Sequence, residues 1–142
     1  MSEPKRVSPQ EAQALLAEGY VYVDVRSEAE FAEGHAAGAY NVPLMHAGGG
    51  GMTPNTRFRE VMRARFPLDA KLIVGCKAGN RSLRAANALL ADGYTDVVDQ
   101  RAGWDGVRDP FGKLSEPGWG PAGLPSETGE PADRSYATLA KS

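Results

Sequence analysis

Two hydrophobic periods alternate along the chain. Compact apolar runs bounded by glycine, proline or acidic residues read as strands, and stretches with apolar residues three or four apart read as amphipathic helices. The first helix is announced by Ser8-Pro9-Gln10-Glu11, a capping box with proline at the first helical position. Ala12, Leu15 and Leu16 supply its apolar face and Gly19 closes it. Residues 20–25 (Tyr-Val-Tyr-Val-Asp-Val) are aromatic and β-branched, which predicts a strand that delivers Asp24 and Arg26 to the carboxyl end of a sheet. A second capping box, Ser27-Glu28-Ala29-Glu30, starts a short helix that stops at Gly34. A very short strand is expected over residues 39–42, before Pro43.

Further along, Phe58, Val61, Met62 and Phe66 fall on one face of a helix over residues 57–66. Residues 71–75 form the strongest candidate for a central strand. In the helix that follows, over residues 83–92, Leu83, Ala86, Leu89 and Leu90 supply the packing stripe. Residues 95–99 read as another strand, and residues 102–108 as a turn and a short helix. Strands alternating with helices predict an α/β fold, with a mostly parallel central sheet flanked by helices and right-handed crossovers. Three segments fall outside this rhythm. Residues 1–7 are polar and expected to be loose at the end. Gly48-Gly49-Gly50-Gly51 predicts a flexible surface loop, since glycine has high backbone entropy and nothing to pack. From Pro110 onward apolar runs vanish and prolines and glycines are frequent, so residues 110–142 are expected to wrap the domain or to be partly disordered, with Trp119 and Tyr136 as anchors.

Composition narrows the classes. A chain of 142 residues suits one domain, and a net charge of −2 offers no basic footprint for nucleic acid. No apolar run is long enough to span a membrane, and the first residues carry no apolar stretch of signal-peptide type. With one cysteine no internal disulfide can form, which fits a reducing compartment: the cytoplasm, or a plastid or mitochondrion after removal of a transit peptide. Two histidines and one cysteine make a metal site unlikely, and no cofactor is called for.

That cysteine is where the chemistry concentrates. Cys76-Lys77-Ala78-Gly79-Asn80-Arg81-Ser82 lies between the end of the central strand and the start of a helix. Backbone amides at a helix start lack intrahelical partners, and the helix dipole favours an anion there, so a thiolate at this position is stabilised. Lys77, Arg81 and Arg84 add positive charge, and small Ala78 and Gly79 let the backbone curl around an anion. A cysteine serving only as core filler would not be flanked by a lysine, two arginines, an asparagine and a serine.

The loop resembles the active-site loop of the rhodaneses, whose common form is Cys-x-x-Gly-x-Arg-Ser; Cys76, Gly79, Arg81 and Ser82 match it. Four residues separate Cys76 from Arg81, one fewer than in the cysteine phosphatases of dual-specificity type, whose larger ring fits a phosphate. A second stretch is similar to the family's upstream signature: Asp24-Val25-Arg26, Glu30-Phe31, Gly34-His35, Gly38-Ala39 and Asn41-Val42-Pro43. The resemblance covers about residues 7–108, and implies a rhodanese-like domain over residues 1–109 followed by the 110–142 extension. The end of the chain is more weakly similar to small plant-type sulfurtransferases.

The resemblance implies a sulfurtransferase that moves sulfane sulfur from thiosulfate or a similar donor to a thiol, a thioredoxin-like protein or cyanide through a persulfide on Cys76. The residues implied to bind substrate are Lys77, Ala78, Gly79, Asn80, Arg81 and Ser82; Lys77 is the candidate for the sulfonate end. Asp24 and Arg26 are expected to pair beneath the loop, with substrate contact by Arg26 as the alternative. His35 is implied to support the fold, and Trp104 to wall the pocket or pack in the core. A non-catalytic binding or sulfur-carrier module is the alternative function; a phosphatase or arsenate reductase is a third.

Overall fold

The computed structural model describes residues 4–48 and 51–140. Its centre is a five-stranded parallel sheet in the order β1-β8-β7-β2-β4. Its strands are β1 (Lys5–Val7), β2 (Val21–Asp24), β4 (Tyr40–Asn41), β7 (Lys71–Gly75) and β8 (Asp96–Gln100). Helices α1 (Pro9–Ala17) and α2 (Glu28–Glu33) cover one face, and α3 (Phe58–Arg65), α4 (Asn80–Ala91) and the short α5 (Tyr136–Leu139) the other. A parallel sheet covered on both faces needs strands that are apolar on both sides. Strand β7 shows it: Leu72 and Val74 enter the core under α3 and α4, while Ile73 enters the core with Phe31 and Trp119.

Both predicted capping boxes are formed. The Ser8 hydroxyl accepts from the Glu11 amide and the Ser27 hydroxyl from the Glu30 amide, and each glutamate returns the bond. Phe58, Val61, Met62 and Phe66 are all buried, as their spacing requires.

Elsewhere the chain departs from the pattern. Lys5–Val7 is not loose but forms edge strand β1, in register with Val98, Asp99 and Gln100; the expectation for residues 1–3 lies outside the described residues. Helix α4 starts at Asn80, so the second half of the cysteine loop is its first turn. Its buried stripe is Ser82, Ala85, Ala86 and Leu89, at i, i+3, i+4 and i+7, so Leu83 and Leu90 fall at the margin of that face and are half-buried. The glycine run is not a simple loop. Strands β5 (Met45–Gly48) and β6 (Gly51–Pro54) pair antiparallel with Gly48 opposite Gly51, and the tip at Gly49 and Gly50 lies outside the described residues. Backbone pairing alone makes this ribbon, so no side-chain pattern announced it. Residues 106–108 are not helical but form strand β9 (Gly106–Arg108), paired with β10 (Leu114–Pro117).

Residues 110–140 are tied to the domain at several points, through β10 on β9, the pairing of residues 126–127 with 35–36, and the buried Trp119 and Tyr136. Trp119, 1% exposed, sits edge-on to Tyr22 with ring centroids 5.5 Å apart, and its indole N–H donates to the Pro125 carbonyl at 2.7 Å. Strand β11 (Ser126–Glu127) pairs antiparallel with β3 (His35–Ala36). There His35, fully buried and stacked on Phe31, bonds the Phe31 carbonyl and the Glu127 carboxylate, which also holds Arg134. Tyr136 packs under α3 and exchanges hydrogen bonds with Asn55.

Candidate active site

Strand β7 ends at Gly75, and its carboxyl end meets the amino end of α4 at the centre of the sheet. Open parallel sheets bind ligands at this kind of place. Between them Gly79 takes a left-handed conformation, φ 94°, and turns the chain back over the cysteine. Its amide lies 3.0 Å from Cys76 Sγ, and the Ser82 hydroxyl 3.4 Å. The amides of Lys77, Ala78, Asn80, Arg81 and Ser82 have no acceptor among the described residues. One amide on the sulfur and five more without partners, at the positive end of α4, make a cradle for a small anion seated on Cys76. Cys76 itself is 2% exposed and belongs to the core cluster under α3 and α4.

The cationic residues read from the sequence part company here. Arg81 is not a free charge: its guanidinium makes a two-point pair with Glu30, at 2.7 and 2.9 Å. Glu30 is the residue that closes the α2 capping box, so one carboxylate ties the start of α2 to the active loop. Burial opposes its ionisation, but Arg81 and the Ser27 bonds outweigh that and hold its pKa at about 2. Lys77 is exposed, with its ammonium 3.7 Å from Asp105. Arg84 points away to Met45, where it borders a cleft beside the β5–β6 ribbon rather than the cysteine.

Asp24 and Arg26 are paired and buried, with contacts of 2.6 to 3.0 Å. Arg26 also donates to the Gly34 carbonyl and lies 5.3 Å from the Trp104 ring centre. It reaches a cleft of about 170 Å³ that it shares with Glu30, Glu33, Lys77, Trp104 and Asp105. Trp104 is half-buried and walls that cleft.

Sequence reasoning missed what holds the loop from behind. The Trp104 and Asp105 amides donate to the Cys76 and Lys77 carbonyls at 2.7 and 2.9 Å. Gly103 sits so close that a Cβ there would be 2.4 Å from the Cys76 carbonyl oxygen and 2.5 Å from that of Lys77. The Gln100 side chain shapes this turn, accepting from the Ala102 and Gly103 amides and donating to Tyr22 and the Gly103 carbonyl. A buried glutamine one residue before such a turn is the signal that was available.

The comparisons with known proteins agree with this geometry. The model of the rhodanese-like domain matches residues 8–109. The chain belongs to the rhodanese family. It is 40% identical over 124 residues to thiosulfate sulfurtransferase 16, chloroplastic, of Arabidopsis thaliana, covering 87% of this chain and 93% of that one. It is 38% identical over 105 residues to thiosulfate sulfurtransferase GlpE of Pseudomonas fluorescens, covering 74% and 85%. A crystal structure of a protein from M. tuberculosis superposes with a TM-score of 0.76 at 30% identity, covering 90% of this chain and all of that one. Family and relatives together support sulfurtransferase activity, and the rhodanese fold sets Cys76 where the central strand meets α4. No helix among the described residues is long and apolar enough to cross a membrane.

Proposed function

We propose that this rhodanese is a thiosulfate sulfurtransferase working through a persulfide on Cys76. The observation that carries the reading is the cradle: Sγ under the Gly79 amide at 3.0 Å, ringed by five amides without acceptors. The Cys76 thiolate attacks the outer sulfur of thiosulfate, the S–S bond of the donor breaks, and sulfite leaves with that electron pair. The enzyme then holds Cys76–S–S⁻, whose terminal sulfur lies where the free amides converge. A thiol, a thioredoxin-like protein or cyanide takes the sulfur in a second displacement, so ping-pong kinetics follow. Donors aimed at developing charge are worth about 2.7–4 kcal/mol each in comparable oxyanion sites. In this reading the backbone from Lys77 to Ser82 binds the transferred sulfur, the exposed Lys77 ammonium meets the sulfonate, and Asp24 and Arg26 brace the floor. The lone cysteine suits a reducing compartment, cytoplasm or plastid; the Arabidopsis relative is named as chloroplastic.

Intact mass before and after incubation with thiosulfate tests the reading. Wild type should gain one sulfur and lose it on adding cyanide or dithiothreitol, and Cys76→Ser should gain none. Reduced, folded wild-type protein that gains no sulfur refutes the thiosulfate reading.

A further inference from the structure

Among the described residues three large apolar side chains are exposed: Phe111 at 94%, Met52 at 40% and Leu68 at 39%. Leu68 lies just before β7, at the amino end of the sheet. The other two stand on hairpins that rise from its carboxyl end, where Cys76 is. The β9–β10 hairpin follows β8, on one side of β7 in the sheet, and the β5–β6 ribbon follows β4, on the other side. Each hairpin borders the site. Val107, Ser115 and Glu116 of the first share a cleft of about 370 Å³ with Ala78 and Asn80 of the cysteine loop. Met45 and Pro54 of the ribbon share one of about 310 Å³ with Arg84 and Ala88 of α4. Strands β8 and β4 are three strand spacings apart, about 14 Å. A docking patch of about 800 Å² is roughly 30 Å across, so a single patch takes in both hairpins and the cysteine between them.

The exposure of Phe111 is imposed by its turn. The Asp109 side chain accepts from the Phe111 and Lys113 amides, both at 2.9 Å, and the Asp109 amide donates to the Lys113 carbonyl at 2.8 Å. Gly112 closes the turn with φ 82°. A turn fixed in this way leaves little freedom to lose on binding, and an aromatic ring held out into water is the usual anchor of a protein contact. The charges nearby have one sign to spare. Arg84, Arg108 and Lys113 are exposed and have no carboxylate partner among the described residues.

We propose that the β9–β10 hairpin and the β5–β6 ribbon form the docking surface for a protein acceptor of the sulfur. That partner is a dithiol protein whose reactive cysteine lies in an apolar patch with an acidic rim. The inference rests on the persulfide reading of Cys76. Phe111 is the anchor, Met52 meets the other end of the patch, and Arg84, Arg108 and Lys113 face the rim. Docking holds the partner's thiolate over a nucleophile that is itself only 2% exposed. The thiolate attacks the outer sulfur of Cys76–S–S⁻, the S–S bond breaks, and its electron pair returns to Cys76 Sγ. The partner's second thiol then displaces that sulfur and closes a disulfide. The transferred sulfur is reduced by two electrons and leaves as hydrogen sulfide with both thiol protons, and the dithiol is oxidised by two electrons.

Reduced thioredoxin of acidic net charge is the probe, and dithiothreitol, a dithiol without a protein surface, is its control. Hydrogen sulfide release in the presence of thiosulfate is measured for wild type, Phe111→Ser, Met52→Ser and Leu68→Ser. Phe111→Ser should lower kcat/KM for thioredoxin at least about tenfold, as loss of an aromatic anchor does. Met52→Ser should lower it by less, and Leu68→Ser not at all. Rates with dithiothreitol should be the same in all four proteins. Added salt should slow transfer to thioredoxin and leave transfer to dithiothreitol unchanged. A thioredoxin rate that Phe111→Ser leaves unaltered, or a loss shared by dithiothreitol or by Leu68→Ser, overturns the docking surface. A thioredoxin rate indifferent to salt overturns the acidic rim and with it the choice of partner. A wild-type dimer that Phe111→Ser makes monomeric in sedimentation assigns the hairpin to a second copy of the chain and overturns the acceptor. The mass gain with thiosulfate decides the sulfurtransferase reading separately, so a protein that loads sulfur and passes it to dithiothreitol can fail here alone.

Discussion

Replacing Glu30 by glutamine isolates the bond between α2 and the active loop. Glutamine can still close the capping box with Ser27, so the local helix start is kept. What is lost is the charge opposite Arg81, whose side chain is only 15% exposed. Holding the carboxyl at about 2 rather than 4.5 corresponds to at most about 3.4 kcal/mol, at about 1.36 kcal/mol per pH decade. Part of that comes from the Ser27 bonds, and solvent reaches 27% of the Glu30 side chain, so the expected loss in Glu30→Gln at pH 7 is about 1–2 kcal/mol. The sign follows from the direction of the shift. A carboxyl with a depressed folded pKa stabilises above its unfolded value, and that stability fades as pH falls from 4.5 toward 2. Urea denaturation of wild type and variant should therefore differ fully at pH 7 and by less than half as much at pH 3. Equal stabilities at pH 7, or a gap that stays constant down to pH 3, would show that the pair contributes nothing of the kind argued here.

Gly103→Ala should cut sulfur loading at least about tenfold while costing about 1–2 kcal/mol in melts. Its φ of 66° disfavours a side chain and its Cβ would push the Cys76 and Lys77 carbonyls out of place; normal loading would refute the fit. Trp119→Ala should destabilise by about 3–5 kcal/mol by denaturant titration, since the indole is buried against Tyr22. The Glu127 carboxylate is held at about 2, first by Arg134, with burial opposing and the Gly38 amide and His35 assisting. By the same sign, limited proteolysis should find the β11 segment increasingly open as pH falls from 4.5 toward 2, and Glu127→Gln should open it at pH 7.

Local signals were legible in the sequence. Both capping boxes, the apolar face of α3 and the central strand depend on residues a few positions apart, and they formed as read. The turn at Cys76 was legible for the same reason: its residues are contiguous, and it lies between the end of β7 and the start of α4. What escaped were partners far away in the chain. Arg6 meets Asp99 across 93 positions and Arg81 meets Glu30 across 51, so no window contains either pair. Arg81 therefore read as free positive charge when it is already neutralised. Arg84 read as part of the same charge because it is near in sequence, although the helix turns it toward Met45. The β5–β6 ribbon escaped for a different reason: its pairing is backbone on backbone, and glycines carry no periodicity.

The turn that supports the cysteine is itself held from outside. The Trp119 amide donates to the Gly103 carbonyl, Gly120 to that of Trp104 and Gly118 to that of Asp105, while the Gly103 to Asp105 stretch presses on the loop. Residues 118–120 lie beyond the point where the family match ends, at residue 109. The boundary drawn by family likeness and the boundary of the cooperative unit are therefore different lines. A chain trimmed to the first would keep the whole Cys76 loop yet let the platform beneath it open locally well below the cost of global unfolding. Anyone transplanting this site into another scaffold would have to carry the last thirty or so residues along as its foundation.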